Sequence, residues 1–193
     1  MTGLLTCGSV AAMNDRDAHK TKFHALLQEQ IYSEFTNAQQ YIAMAVYFDG
    51  ADLRQLAKHF YAQSIEERNH AMMLVQYLLD RDARVEIPGV DRVRNHFDTP
   101  RAALALALDQ ERAVTEQVSR LAAVARDEGD YLGEQFMQWF LKEQVEEMAL
   151  MTSLVRVADR AGANSFDLEN FVAREIDSPH SASEAPGAAG GRL

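Results

Sequence analysis

A carboxylate and an imidazole, Glu67 and His70, stand one helical turn apart within a face that is otherwise apolar. Side chains three residues apart lie on the same side of a helix, and a hard oxygen beside an imidazole nitrogen is a donor pair for a divalent cation. Three further acids occupy the same kind of position. Leu27, Ile31, Glu34, Ala38, Tyr41 and Ala45 follow one another at alternating steps of four and three, the spacing of a single buried helix face. A second stripe runs Phe60, Gln63, Glu67, His70, Leu74 and Leu78, and a third Leu104, Leu108, Glu111, Val114, Val118 and Leu121. The fourth is Phe140, Gln144, Glu147, Met151, Leu154 and Ala158. Each stripe carries an ionisable group near its middle. An ionised carboxylate taken out of water without a partner is strongly destabilising, so four converging in one core imply neutralisation. Two divalent cations would supply it.

The elements that must position these groups are legible in the punctuation. Asp52 with Gln55 has the pattern of a capping box, Thr99-Pro100 pairs a cap with a first-turn proline, and Gly129-Asp130 closes one helix and opens another. Four long helices are predicted, over residues 21–48, 53–81, 100–128 and 131–161. Gly162 ends the fourth, and Ser165 is placed to cap a short fifth helix to about residue 176, with Phe166, Phe171, Val172 and Ile176 as its larger apolar groups. Short links make the first pair of helices antiparallel, and likewise the second pair. The segment from Asp82 to Thr99 is long enough, in extended form, to traverse a bundle. The second and third helices can therefore run parallel, the connection a ferritin-like bundle uses. The fold expected is all-α: a four-helix bundle with a long crossover between the second and third helices, plus a short C-terminal helix. Residues 1–19 are expected as a flexible extension, 20–176 as the bundle domain, and 177–193, rich in Ala, Gly, Ser and Pro, as a disordered tail.

Composition narrows the function. One domain accommodates 193 residues, of which 47% are hydrophobic. A single cysteine, Cys7, makes no intrachain disulfide, which points to a reducing compartment and to the cytoplasm. There is no apolar run of membrane-spanning length and no signal-peptide pattern, so no membrane is expected. Nineteen Lys and Arg against 29 Asp and Glu leave a formal charge of −10, which disfavours nucleic acid and favours small cations.

Glu34 with Tyr41, the run from Glu66 to His70, Glu111, and the run from Trp139 to Glu147 together resemble the bacterial non-haem ferritins, in particular their mycobacterial type. The resemblance covers roughly residues 20–176. It implies that Glu34, Glu67 and His70 hold one iron, that Glu67, Glu111 and Glu147 hold a second with Glu67 bridging, and that Gln144 sits beside them without charge. It implies further that Glu66, Glu143 and Glu146 form a third iron site towards a cavity, and that Tyr41, and Trp139 with less weight, donate electrons. A second Glu-x-x-His motif is replaced by Gln144-x-x-Glu147, which suits a site that oxidises iron and passes it on. Haem-binding bacterioferritins carry methionine immediately after the bridging glutamate; Arg68 stands there, so no haem is expected. The activity implied is that of a ferroxidase in an iron-storage subunit. Fe(II) is oxidised by O2 or peroxide to an oxo-bridged ferric pair, and ferric oxide is deposited inside a homo-oligomeric cage of twenty-four copies. By the same resemblance Asp130 and Glu134 are candidates for acidic entry pores. The tail is a candidate docking segment for a shell or other partner. A di-iron peroxidase of the rubrerythrin kind would need a Cys-x-x-Cys module that a single cysteine cannot make. A small starvation-type cage that shields DNA lacks this ligand arrangement within one subunit.

Overall fold

The computed structural model describes residues 21–162, 164–176 and 185–193. The expectations for residues 1–19, Cys7 included, and for 177–184 lie outside the described residues. The elements are α1 (Lys22–Gly50), α2 (Arg54–Asp80), α3 (Pro100–Asp127), α4 (Tyr131–Ala161) and α5 (Ser165–Glu175), with no strand among the described residues. Helix α1 packs chiefly on α2, and α3 on α4.

The apolar stripes close into two clusters. One joins Tyr41, Met44, Phe48, Phe60, Leu104, Met151 and Leu154. The other joins Phe23, Leu27, Ile31, Leu74, Val118, Leu121, Met137 and Phe140. Between them, at Glu34, Gln63, Glu67, His70, Glu111, Gln144 and Glu147, runs a buried polar layer. The two clusters hold the helices in register on either side of it, so the layer's geometry is imposed by packing above and below.

The crossover is tied to α1 by two glutamines. Gln28 donates to the Glu86 carbonyl and accepts from the Glu86 N–H, and Gln40 does the same with Arg94 at 2.8 Å in both directions. An extended segment without a strand to pair with has backbone groups to satisfy, and these amides supply both a donor and an acceptor. From Glu86 to Arg94 the crossover follows α1 in the direction Gln28 to Gln40, returning the chain to the end where α2 began. That makes α2 and α3 parallel, as the long link predicts. Phe97 anchors the end of the crossover, its ring 5.1 Å from that of Tyr47.

The caps differ in part from the sequence reading. Thr99 and Asp130 cap as expected, accepting from Ala102 N and Gly133 N. Gly133 also lies so close to Phe23 that a Cβ there would meet the ring at 2.4 Å. The Asp52-Gln55 box does not form: Asp52 has φ 60 and the N-cap is Leu53. The free N–H groups of Gln55 and Leu56 are taken instead by the two carboxylate oxygens of Glu169 on α5, at 2.8 and 2.9 Å. An acid from another helix both satisfies orphan donors and complements the positive end of the helix dipole. Ser165 is not the cap of α5 either; Asn164 is, and its side chain goes to Asp167. Leu168 and Val172 of α5 are buried in the first cluster within this chain, whereas Phe166 is 71% exposed.

Within the expected tail, residues 185–193 lie against α2. Ala189 N–H donates to the Met72 carbonyl at 3.0 Å, Leu193 N–H donates to Asn69 Oδ1 at 3.3 Å, and Ala185, Ala188 and Ala189 pack against the second cluster. Small side chains let the segment approach α2 closely. Gly190 and Gly191, at φ 76 and 82, make the turn back that residues with a Cβ adopt at a cost.

Candidate metal centre

The polar layer is built from all four long helices. Glu34, Glu67, His70, Glu111 and Glu147 are each at most 4% exposed. Ligand atoms of Glu34, Glu67 and His70 lie within 4.8 Å of one another, and among the described residues these three form the cluster with metal-binding spacing. His70 Nδ1 is 3.9 Å from Glu67 Oε2, too long for a hydrogen bond and suited to a shared cation between them. The imidazole is held edge-on against Trp139 and Phe140, with ring centroids 5.6 and 5.7 Å away.

Glu111 and Glu147 do not join that cluster at the same spacing; they reach the layer from α3 and α4. Tyr41 OH donates to Glu111 Oε1, and Gln144 Nε2 donates to Glu111 Oε2 at 3.4 Å. Gln63 Nε2 donates to Glu66 Oε2 at 2.8 Å and to Glu147 Oε1 at 3.4 Å. Gln30 Nε2 donates to Glu34 Oε1 at 2.8 Å. After these bonds Glu34 Oε2, Glu67 Oε2 and Glu147 Oε2 remain buried with no hydrogen-bond partner. Orphaned buried carboxylate oxygens are rare in folded proteins, and three in one layer beside an imidazole are the donor set of a hard or borderline divalent cation.

The electrostatics agree. Burial, first of all, pushes Glu34, Glu67 and Glu147 well above the usual carboxylate range. Next come Glu67's charge for Glu34, Glu111's for Glu67, and Glu66's for Glu147. Glu111 is raised mainly by burial and pulled back by the hydrogen bond from Tyr41. Tyr41 is driven well above 10.0 by burial and then by Glu111. The charged forms of these four carboxyls and of Tyr41 are disfavoured until positive charge arrives.

The remaining expected residues lie close by. Glu66, Glu143 and Glu146 share the wall of a cavity of about 330 Å³ with His70 and Trp139, closed on one side by Arg192 and Leu193. Asp130 and Glu134 are not free acids. Asp130 caps α4 and pairs with Arg81 at 3.3 Å, and Glu134 accepts from Arg126 at 2.9 Å. Their charges are compensated within the chain, which weakens their reading as entry groups. Three functional groups escaped the sequence reading as such: Gln30, Gln63 and Thr115, whose Oγ1 lies 2.8 Å from Gln144 Oε1. The signal for the two glutamines is an amide one turn before a mid-stripe glutamate.

A bundle with one buried acidic layer, a long crossover and a short fifth helix defines a class, and comparison with known proteins agrees with it. Residues 24–161 match the family model of the ferritin-like domain, and the chain belongs to that family. Ferritin BfrB of Mycobacterium tuberculosis is 76% identical over 94% of this chain and all of its own length, and a relative from another strain, with the same identity and coverage, carries the name bacterioferritin BfrB. Ferritin BfrB of Mycolicibacterium smegmatis is 74% identical over the same shares. Among solved structures, an open-pore ferritin from Archaeoglobus fulgidus superposes with a TM-score of 0.77 at 30% identity, over 80% of this chain and 96% of its own. No helix among the described residues is long and apolar enough to cross a membrane.

Proposed function

We propose that this chain is a cytoplasmic ferroxidase subunit of an iron-storage cage. The observation that carries this reading is the buried layer itself, with three unpartnered carboxylate oxygens beside His70. Fe(II) is the substrate. Glu34, Glu67 and His70 receive one ion, and Glu67, Glu111 and Glu147 a second, Glu67 lying between the two groups. Each ion gives up one electron and O2 or peroxide takes both. Trivalent products bind the same oxygens more strongly, but the second position has no imidazole and its Glu111 is already occupied by Tyr41 and Gln144. The ferric product is therefore held less firmly there and can move on. Glu66, joined to the layer through Gln63, and Glu143 and Glu146 on the same cavity wall are the next oxygens on its way.

Tyr41 is placed to supply an electron and a proton together, because its hydroxyl already donates to a ligand carboxylate. Assembly into a closed homo-oligomer, twenty-four copies by family resemblance, is supported by the apolar groups left outside the bundle. Ile42, Val46, Leu79, Tyr131 and Val145 are exposed in the single chain. Arg68 in place of methionine argues that the cage carries no haem despite the bacterioferritin name of some relatives. Aerobic loading of the purified protein with Fe(II), followed by iron and protein assay of the size-fractionated assembly, is the test. Iron in large excess over two ions per chain, in an electron-dense core, is expected. Saturation at two ions per chain would refute storage.

A further inference from the structure

We propose that Thr115 is a positioning residue that decides which end of the Gln144 amide faces the metal layer. Thr115 lies one turn after Glu111 on α3, and its Oγ1 is 2.8 Å from the Glu111 carbonyl and 2.8 Å from Gln144 Oε1. A threonine hydroxyl has one proton to give. The Glu111 carbonyl sits in mid-helix and receives a backbone N–H from the next turn, so it does not depend on that proton. Gln144 Oε1 does, since a carbonyl oxygen facing a hydroxyl is satisfied only if the hydroxyl donates. With Oε1 committed to Thr115, the other end of the amide, Nε2, is turned towards Glu111 Oε2 at 3.4 Å.

The consequence is chemical. An inward NH2 cannot bind a cation, and it donates to the one Glu111 oxygen that Tyr41 leaves uncommitted. Turned over, the same amide would present Oε1, a hard neutral oxygen, to any ion held by Glu111 and Glu147. Coordination would then gain a ligand and Glu111 would lose a competing donor. The hydroxyl thus keeps the second position short of oxygen and limits how tightly it holds its ion. This rests on the proposed iron oxidation for its biological meaning, but the amide's orientation can be read without it.

The experiment uses the full-length assembled protein and Co²⁺ as probe, followed by its d–d absorption. In Thr115→Val, close in shape but without the proton, the amide is released. The weaker Co²⁺ step should tighten by about tenfold, the scale of one net hydrogen bond, with a changed d–d spectrum. Thr115→Ser should behave as the parent. In a Gln144→Met background Thr115→Val should change nothing. In aerobic Fe(II) additions beyond two ions per chain, Thr115→Val should turn over more slowly than the parent. If Thr115→Val does not assemble, Thr115→Ala carries the same expectation. Parental Co²⁺ binding in the variant, a serine variant that follows valine, or an effect that survives in Gln144→Met each overturns the proposal. A parent that binds Co²⁺ in two steps but oxidises no Fe(II) overturns the functional reading alone.

Discussion

Replacing Glu67 with Gln should raise the stability of the metal-free protein while destroying its ability to oxidise iron. Glu67 and Glu34 are buried, with ligand atoms within 4.8 Å of each other. Two unit negative charges at that distance repel by about 3.5 kcal/mol at an effective dielectric constant of about 20. Glutamine keeps the volume and removes the charge, so a gain of that order per subunit is expected where both acids are ionised. For a chain of this length, about 2–4 °C per kcal/mol translates it into a rise of roughly 7–14 °C in melting temperature. The pH dependence has a definite sign. Glu34, Glu67, Glu111 and Glu147 are all raised above 4.5 in the folded state, chiefly by burial. A group with a raised folded pKa contributes its stability fully below its unfolded pKa and loses it as pH rises through the folded value. The parent therefore loses stability from about pH 5 upward when metal is absent, and the gap to the variant widens towards pH 8. Added Zn²⁺ should reverse the order, because cation binding needs deprotonated ligands and the parent has one more. Calorimetry of chelator-treated and Zn²⁺-loaded protein between pH 5 and 8, with stopped-flow absorbance of ferric product, measures both halves. A metal-free variant that melts at or below the parent at pH 8, or one that oxidises Fe(II) at the parental rate, would refute the reasoning.

Tyr41→Phe removes the donor to Glu111 Oε1, and loss of a hydrogen bond to a charged group should slow the initial ferrous oxidation by about tenfold, measured by stopped flow. Glu169→Ala leaves two N–H groups of α2 uncapped, and the melting free energy of the assembled protein should fall by about 1–2 kcal/mol per subunit, with Glu169→Gln intermediate. Deleting residues 185–193 should leave the helices folded but raise amide hydrogen exchange along α2 near Asn69 and Met72, where the segment is hydrogen-bonded. Expression with added haem should yield protein without a Soret band in proportion to chain; stoichiometric haem would overturn the argument from Arg68.

The residues that make this bundle are visible in the linear chain because helical order is local. Steps of three and four placed Glu34, Glu67, His70, Glu111 and Glu147 on the buried stripes. A carboxylate on such a stripe cannot be ignored when its desolvation cost is counted. The length of the 82–99 link decided that α2 and α3 run parallel. What tertiary structure alone decided is which groups meet across elements. Glu169 caps α2 from 113 and 114 residues away, and no local pattern at Asp52 and Gln55 could reveal that competitor. Residues 185–193 carry little apolar surface, yet small side chains and two left-handed glycines let them lie on α2, a fit that depends on the shape of the surface receiving them. Asp130 and Glu134 are acids in the sequence and ion-paired groups in the fold, because Arg81 and Arg126 are brought to them. The donors that orient the layer, Gln30, Gln63 and Thr115, acquire their meaning only when helix register sets their distances to particular oxygens. Periodicity tells which side of a helix faces inward; hydrogen-bond partnership depends on ångström-scale placement between helices, which is set by the packing of the two apolar clusters on either side of the layer.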